Sequence, residues 1–167
     1  MEFELKKWRL DYIKEIAEYA NNKNIADNLR NAFPYPYTLD DAKYYVNHCM
    51  RKEGDTQVCR AIIVNKKAIG SVGVFFRDDV YSKTGEIGYW LAEEFWGRGI
   101  MNTAISKVCK IVFDEYDIIR IHAEPFADNI GSRKALEKAG FMLEGIMKNN
   151  VIKNNKVLDS CMYAKLK

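Results

Sequence analysis

Two glycines flanking an arginine, Gly97-Arg98-Gly99, stand between an apolar run that ends at Leu91 and a helical pattern that begins at Ile100. A turn in that position gathers unpaired amides and the positive end of a helix around one point, which favours an anion. Glycine lets the main chain curl and approach a ligand without a Cβ clash, and Arg98 adds a charge-assisted contact to a phosphate. The run lacks the G-x-x-x-x-G-K-[ST] of nucleoside-triphosphate loops, and Asn102 stands where a dinucleotide fingerprint needs its third glycine. What remains is a shorter pyrophosphate turn, with Gly97, Arg98, Gly99, Ile100, Met101 and Asn102 as its candidate binding residues.

The elements that must position this turn follow from periodicity. Phe3, Leu5 and Trp8 suggest a first strand, and Ile13, Ile16, Ala17 and Ala20 recur at helical spacing. Phe33-Pro34-Tyr35-Pro36-Tyr37 cannot be regular helix because of its two prolines. Thr38 with Asp41 resembles a capping box, opening a helix that turns Leu39, Ala42, Val46, Cys49 and Met50 inward and ends near Gly54. Residues 57–64 and 68–76 read as a hairpin around Asn65-Lys66-Lys67, and Glu86 to Leu91 as a third interior strand. A helix from Ile100 to Tyr116, a strand from Ile118 to Glu124 and a short helix from Ser132 to Ala139 come next. Two last strands, at about 141–150 and 156–166, turn at Asn154-Asn155, and the order is mixed α and β with one strand-helix-strand crossover.

A chain of 167 residues is ample for one core, and no linker, repeat or low-complexity tract divides it, so residues 1–167 read as a single domain. A composition 48% hydrophobic and 29% charged is that of an ordinary globular protein. No run approaches the ~20 apolar residues of a membrane span, and the start is too charged for a signal peptide, so a cytoplasmic protein with no membrane partner is expected. The charge of +3, carried on scattered basic residues, gives little support to nucleic acid as a partner. Cys49, Cys59, Cys109 and Cys161 form no C-x-x-C pair, so reduced buried thiols and no metal are expected.

Taken in order, Glu86-Ile87-Gly88-Tyr89-Trp90-Leu91, the glycine turn, Asn129 with Ser132, Leu136 to Phe141, Glu144-Gly145, and Asp159 with Tyr163 resemble the GNAT acetyltransferases, in particular the RimJ/RimL branch, which includes ribosomal-protein N-terminal acetyltransferases. The resemblance covers roughly residues 1–167. It departs from the family's R/Q-x-x-G-x-G/A motif at both ends, at Trp96 and Met101. It implies an α+β GNAT fold: a mostly antiparallel, splayed sheet of about seven strands with about four helices. The sheet would part between the strands at 86–91 and 118–124, with acetyl-CoA as acetyl donor, its pantetheine arm beside Tyr89, Trp90 and Leu91, and Asn129 and Ser132 near its reactive end.

Acetyl transfer to an amine needs a base, because an α-amine near pKa 8 or a lysine near 10.4 is largely protonated at neutral pH. Glu124 is the first candidate: it ends its strand and stands five residues before Asn129, the spacing of the base glutamate in a related ribosomal-protein acetyltransferase. Glu86 is the second, and His122 reads as structural. The tyrosine that many GNAT enzymes use to protonate the departing thiolate is replaced by Leu136, and resemblance to the RimJ/RimL branch gives that role to Ser132. Arg30, Phe33, Tyr35 and Tyr37, with Glu86, correspond to the variable acceptor pocket. The acceptor is a protein or peptide α-amine, or a small-molecule amine such as a polyamine, antibiotic or amino acid. A catalytically idle acetyl-CoA sensor is the reading from another class, and both monomer and homodimer stay open.

Overall fold

The structure, a computed structural model, describes residues 1–167. Seven strands and five α-helices alternate as β1 (Glu4–Lys6), α1 (Ile13–Ala20), α2 (Lys23–Ala26), α3 (Leu39–Lys52), β2 (Gln57–Val64), β3 (Lys67–Phe76), β4 (Thr84–Leu91), α4 (Ile100–Glu115), β5 (Arg120–Ala123), α5 (Ile130–Lys138), β6 (Met142–Lys153) and β7 (Lys156–Leu166). They build one mixed sheet in the order β1-β2-β3-β4-β5-β7-β6. Every neighbouring pair is antiparallel except β4 and β5, which run parallel because α4 returns the chain between them.

Strand alternation divides the interior into two cores. Val58, Ile62, Val72, Val74, Ile87, Ile121 and Tyr163 pack on one face with α4 and α5, while Cys59, Ala61, Ile63, Ala68 and Trp90 pack on the other with α1, α3 and Trp8. β2 is buried along its whole length because both faces are covered. The hairpin turns are two-residue ones, with positive φ at Asn65 and Lys66 and again at Asn154 and Asn155. That geometry suits the twist of the flanking strands, and asparagine tolerates it.

The sequence expectations hold for most elements and miss in definite places. Leu39 and Met50 were expected inward but are 45% and 44% exposed, because they lie on the shoulder of a stripe formed by Ala42, Val46 and Cys49. Trp8 lies beyond β1, buried in the second core. The fifth helix, α2, is four residues capped by the Asn22 side chain, too short to leave a periodic signal. The capping box at α3 forms as expected: Asp41 N–H donates to Thr38 Oγ1 at 3.2 Å and Thr38 N–H to Asp41 Oδ2 at 2.7 Å. Thr38→Ala should therefore lower Tm by about 2–4 °C in a thermal melt, with activity intact.

Candidate functional site

At the end of β4 the chain makes a 3₁₀ turn and then bends through Gly97 and Gly99, whose φ angles of +72° and +74° are left-handed. No side chain caps α4, and none of the amides from Gly97 to Asn102 finds a main-chain acceptor. A Cβ on Gly97 would meet nothing within 4 Å, so the space beside the turn is open. Arg98 is exposed and stacks 5.6 Å over the Phe95 ring. The result is a row of free donors at the positive end of a 16-residue helix, chemically suited to a pyrophosphate. Ile100 is 1% exposed and anchors the turn in the core, so its amide rather than its side chain is available.

Beside this turn the sheet comes apart. β4 and β5 pair only at Thr84–Arg120, Gly85–Ile121 and Glu86–His122. Ala92 N–H bonds Ile69 O and Thr84 O accepts from Arg77 N–H, so the even-numbered residues of β4 turn their peptide groups to β3. The odd-numbered residues face the opening, as Lys83 O does when it accepts from Ile119 N–H. Tyr89 and Leu91 therefore present main-chain groups to the gap, while Trp90 is committed to β3 and its ring packs in the second core. The Leu91 carbonyl is already occupied by the Trp96 indole N–H at 2.7 Å, which gives the departure at motif position 96 a structural task. A strand edge open at Tyr89, ending at a nest of amides, fits the peptide-like pantetheine arm and pyrophosphate of coenzyme A.

On the α5 side of the opening, Asn129 caps the helix by accepting from Ser132 N–H at 3.1 Å. The Ser132 hydroxyl lies 2.7 Å from that of Tyr89. Leu136, at the place of the missing tyrosine, is fully buried.

On the opposite face, carboxylates and cations converge. Glu86 forms ion pairs with Arg30 and, at 3.8 Å, with Arg77. Burial pushes the His122 imidazole below its ordinary value against the pull of Glu86, and Arg77 and Arg120 push it the same way, so His122 is neutral at neutral pH. Glu124, one residue past β5, accepts on Oε1 from Asn150 Nδ2 and Ser160 Oγ, both at 2.9 Å. Both bonds fall on one oxygen, which leaves Oε2 open to another donor.

The aromatic loop divides. Tyr37 is 6% exposed and packs its ring, tilted, on Phe33, which packs in turn against Trp90, whereas Tyr35 is 52% exposed. Asn154 donates to Asp27 at 2.9 Å and Lys153 to Asn31 at 3.1 Å, so the β6–β7 turn clasps this loop. No group of three or more His, Cys, Asp or Glu side chains is arranged to hold a metal ion, and no helix is long and apolar enough to cross a membrane.

Arg77, Asn150, Ser160 and Lys153 escaped the reading of the sequence. Asn150 sits in a break of register between Met147 and Val151, beside Asn149 with φ of +51°, and a bulge carries no periodic signature.

Comparison with known proteins agrees with this geometry. The profile of the acetyltransferase (GNAT) domain matches residues 2–142. The probable N-acetyltransferase YjcK of Bacillus subtilis is 40% identical over 85 residues, 51% of this chain and 47% of that protein. The ribosomal-protein-serine acetyltransferase of Escherichia coli is 32% identical over 92 residues, 55% of this chain and 51% of that protein. The matched stretch thus spans about half the length of these curated relatives. Among solved structures, the microcin C7 self-immunity acetyltransferase MccE in complex with acetyl-CoA and AMP superposes with a TM-score of 0.86 at 25% identity, covering 99% of this chain and 93% of that one. With the splayed sheet, the glycine turn and a profile match over most of its length, this chain belongs to the GNAT acetyltransferase family.

Proposed function

We propose that the protein is an acetyl-CoA-dependent N-acetyltransferase acting on a primary amine, with the N-terminal α-amine of a protein or peptide as its acceptor. The observation that carries the reading is the parting of β4 from β5 immediately beside a turn of unpaired amides. Bound there, acetyl-CoA would supply a thioester carbonyl carbon open to an amine nitrogen and a thiol as leaving group.

The amides of residues 97–102 and the Arg98 guanidinium hold the pyrophosphate, and the Tyr89 main chain orients the pantetheine arm. Asn150 and Ser160 hold Glu124 so that Oε2 takes the proton from the acceptor nitrogen, directly or through one water. Ser132 keeps a proton at Oγ for the departing sulfur. Glu86, fixed by Arg30, and the exposed Tyr35 beside half-buried Phe33 line the acceptor side, with Tyr37 supporting them from below. The chain works as one domain, in the cytoplasm, as a monomer or homodimer. The α-amine is favoured by the similarity to the ribosomal-protein-serine acetyltransferase, while a polyamine, antibiotic or amino-acid amine is the competing acceptor.

The deciding experiment offers acetyl-CoA with peptides of varied first residue, polyamines and amino acids. Thiol release is followed, and the mass increment of one acetyl group is sought on each acceptor. Acetylated peptide N-termini are expected. Cofactor binding with only background thiol release would replace the enzyme by a sensor, the reading that Leu136 favours.

A further inference from the structure

We propose that Tyr89 is a positioning residue for Ser132: its phenol donates to Ser132 Oγ and thereby turns the serine's own hydrogen toward the gap between β4 and β5. The inference rests on the acetyltransferase reading and deepens it, since it says how a lone serine can replace the absent tyrosine.

Three observations carry it. The two hydroxyls are 2.7 Å apart, although 43 residues separate them in the chain, so the contact exists only because the fold brings the first turn of α5 within side-chain reach of Tyr89. The main-chain end of Ser132 is fixed independently, its N–H held by Asn129 Oδ1 at 3.1 Å, so the backbone that carries the hydroxyl is anchored. The other phenol of the region is occupied elsewhere: Tyr163 donates to Glu137 Oε1 at 2.7 Å and accepts from Arg133 Nε at 3.2 Å.

The direction of the Tyr89–Ser132 bond follows from acidity. A phenol is far more acidic than an alcohol and is the better donor, whereas the alcohol oxygen is the better acceptor. Burial keeps the Tyr89 phenol protonated, since its pKa is pushed well above the ordinary tyrosine value with only partial relief from Ser132. Tyr89 therefore never yields its proton. A serine that accepts from Tyr89 has its one hydrogen free, and in this proposal that hydrogen serves the gap that Tyr89's main chain faces. Without the phenol, the serine hydrogen can rotate to other acceptors and the proton for the departing sulfur is present but unaimed.

The test compares Tyr89→Phe, Ser132→Ala and the double variant. Tyr89→Phe keeps the ring that packs against the core and removes one oxygen. It is expected to lower kcat about tenfold, with the calorimetric Kd for acetyl-CoA within about twofold of the parent and an unchanged melting curve. In the Ser132→Ala background the same change should have no further effect, because its target is gone. Full kcat in Tyr89→Phe, or losses that multiply in the double variant, would overturn the proposal, and so would a Kd for acetyl-CoA that rises as far as kcat falls. If the parent protein acetylates no amine at all, it is the acetyltransferase reading that fails, and the calorimetric and melting readouts keep that outcome separate.

Discussion

Gly99→Val should weaken the binding of acetyl-CoA severely while leaving the protein folded. The expectation comes from the backbone rather than from crowding inside the protein, because a Cβ at Gly99 would meet only Asn102 Oδ1, at 3.6 Å. At φ of +74° a non-glycine residue costs about 1–2 kcal/mol, and a β-branched side chain is worse placed than most. The chain escapes that cost by rotating the peptides on either side, which scatters the amides of residues 98–102 that should converge on the pyrophosphate. The added methyls also stand on the face a phosphate must approach. Together these effects should weaken acetyl-CoA by roughly 100-fold, about 3 kcal/mol, in a calorimetric titration. Gly145→Ala is the matched control, since it has ordinary φ and nothing within 4 Å of the new Cβ. Parental affinity in Gly99→Val would remove the phosphates from this turn.

Glu124→Gln should reduce kcat about 100-fold, at the lower end of what a positioned base contributes, with little change in acetyl-CoA affinity. Glutamine keeps the length and an oxygen that can still accept from Asn150 and Ser160, so the local packing survives. What it loses is the ability to take a proton. The deficit should be largest at neutral pH, where an α-amine is mainly the ammonium, and should narrow as pH passes about 8 and the acceptor deprotonates without help. A pH series of single-acceptor kinetics tests both parts. Equal rates for parent and variant across that range would exclude Glu124 from the proton path and return attention to Glu86, whose carboxylate is already engaged by Arg30 and Arg77.

The difference between these residues and their supports explains what a linear reading could reach. The glycine turn was legible because positive φ and close approach restrict residue type directly, and the same holds for Thr38 with Asp41 and for the Asn154-Asn155 turn. Such signals are local. The grip of Asn150 and Ser160 on Glu124 was not legible, because it depends on a bulge that shifts the β6–β7 register. Neither was the alignment of Glu86 with His122, since a parallel pair joined through a helix has no turn to fix its register. The aromatic loop was visible as a whole but not in its parts: Tyr35 and Tyr37 look alike in sequence, yet one faces solvent and the other is sealed under the loop. That distinction belongs to Phe33, which packs on both Tyr37 and Trp90, and to Asn21, which accepts from Tyr37 N–H, so it depends on residues from elsewhere in the chain.

The strand order has a consequence for biosynthesis. β7 is made after β5 and β6 yet lies between them, bonded to both, and its Ser160 helps to seat Glu124. While the ribosome still holds residues 156–166, the strands already made can assemble only as far as β5, and β6 has no neighbour to join. The nascent chain should therefore carry an exposed strand edge until β7 threads into place, and a chaperone that shields such edges is most useful in that interval.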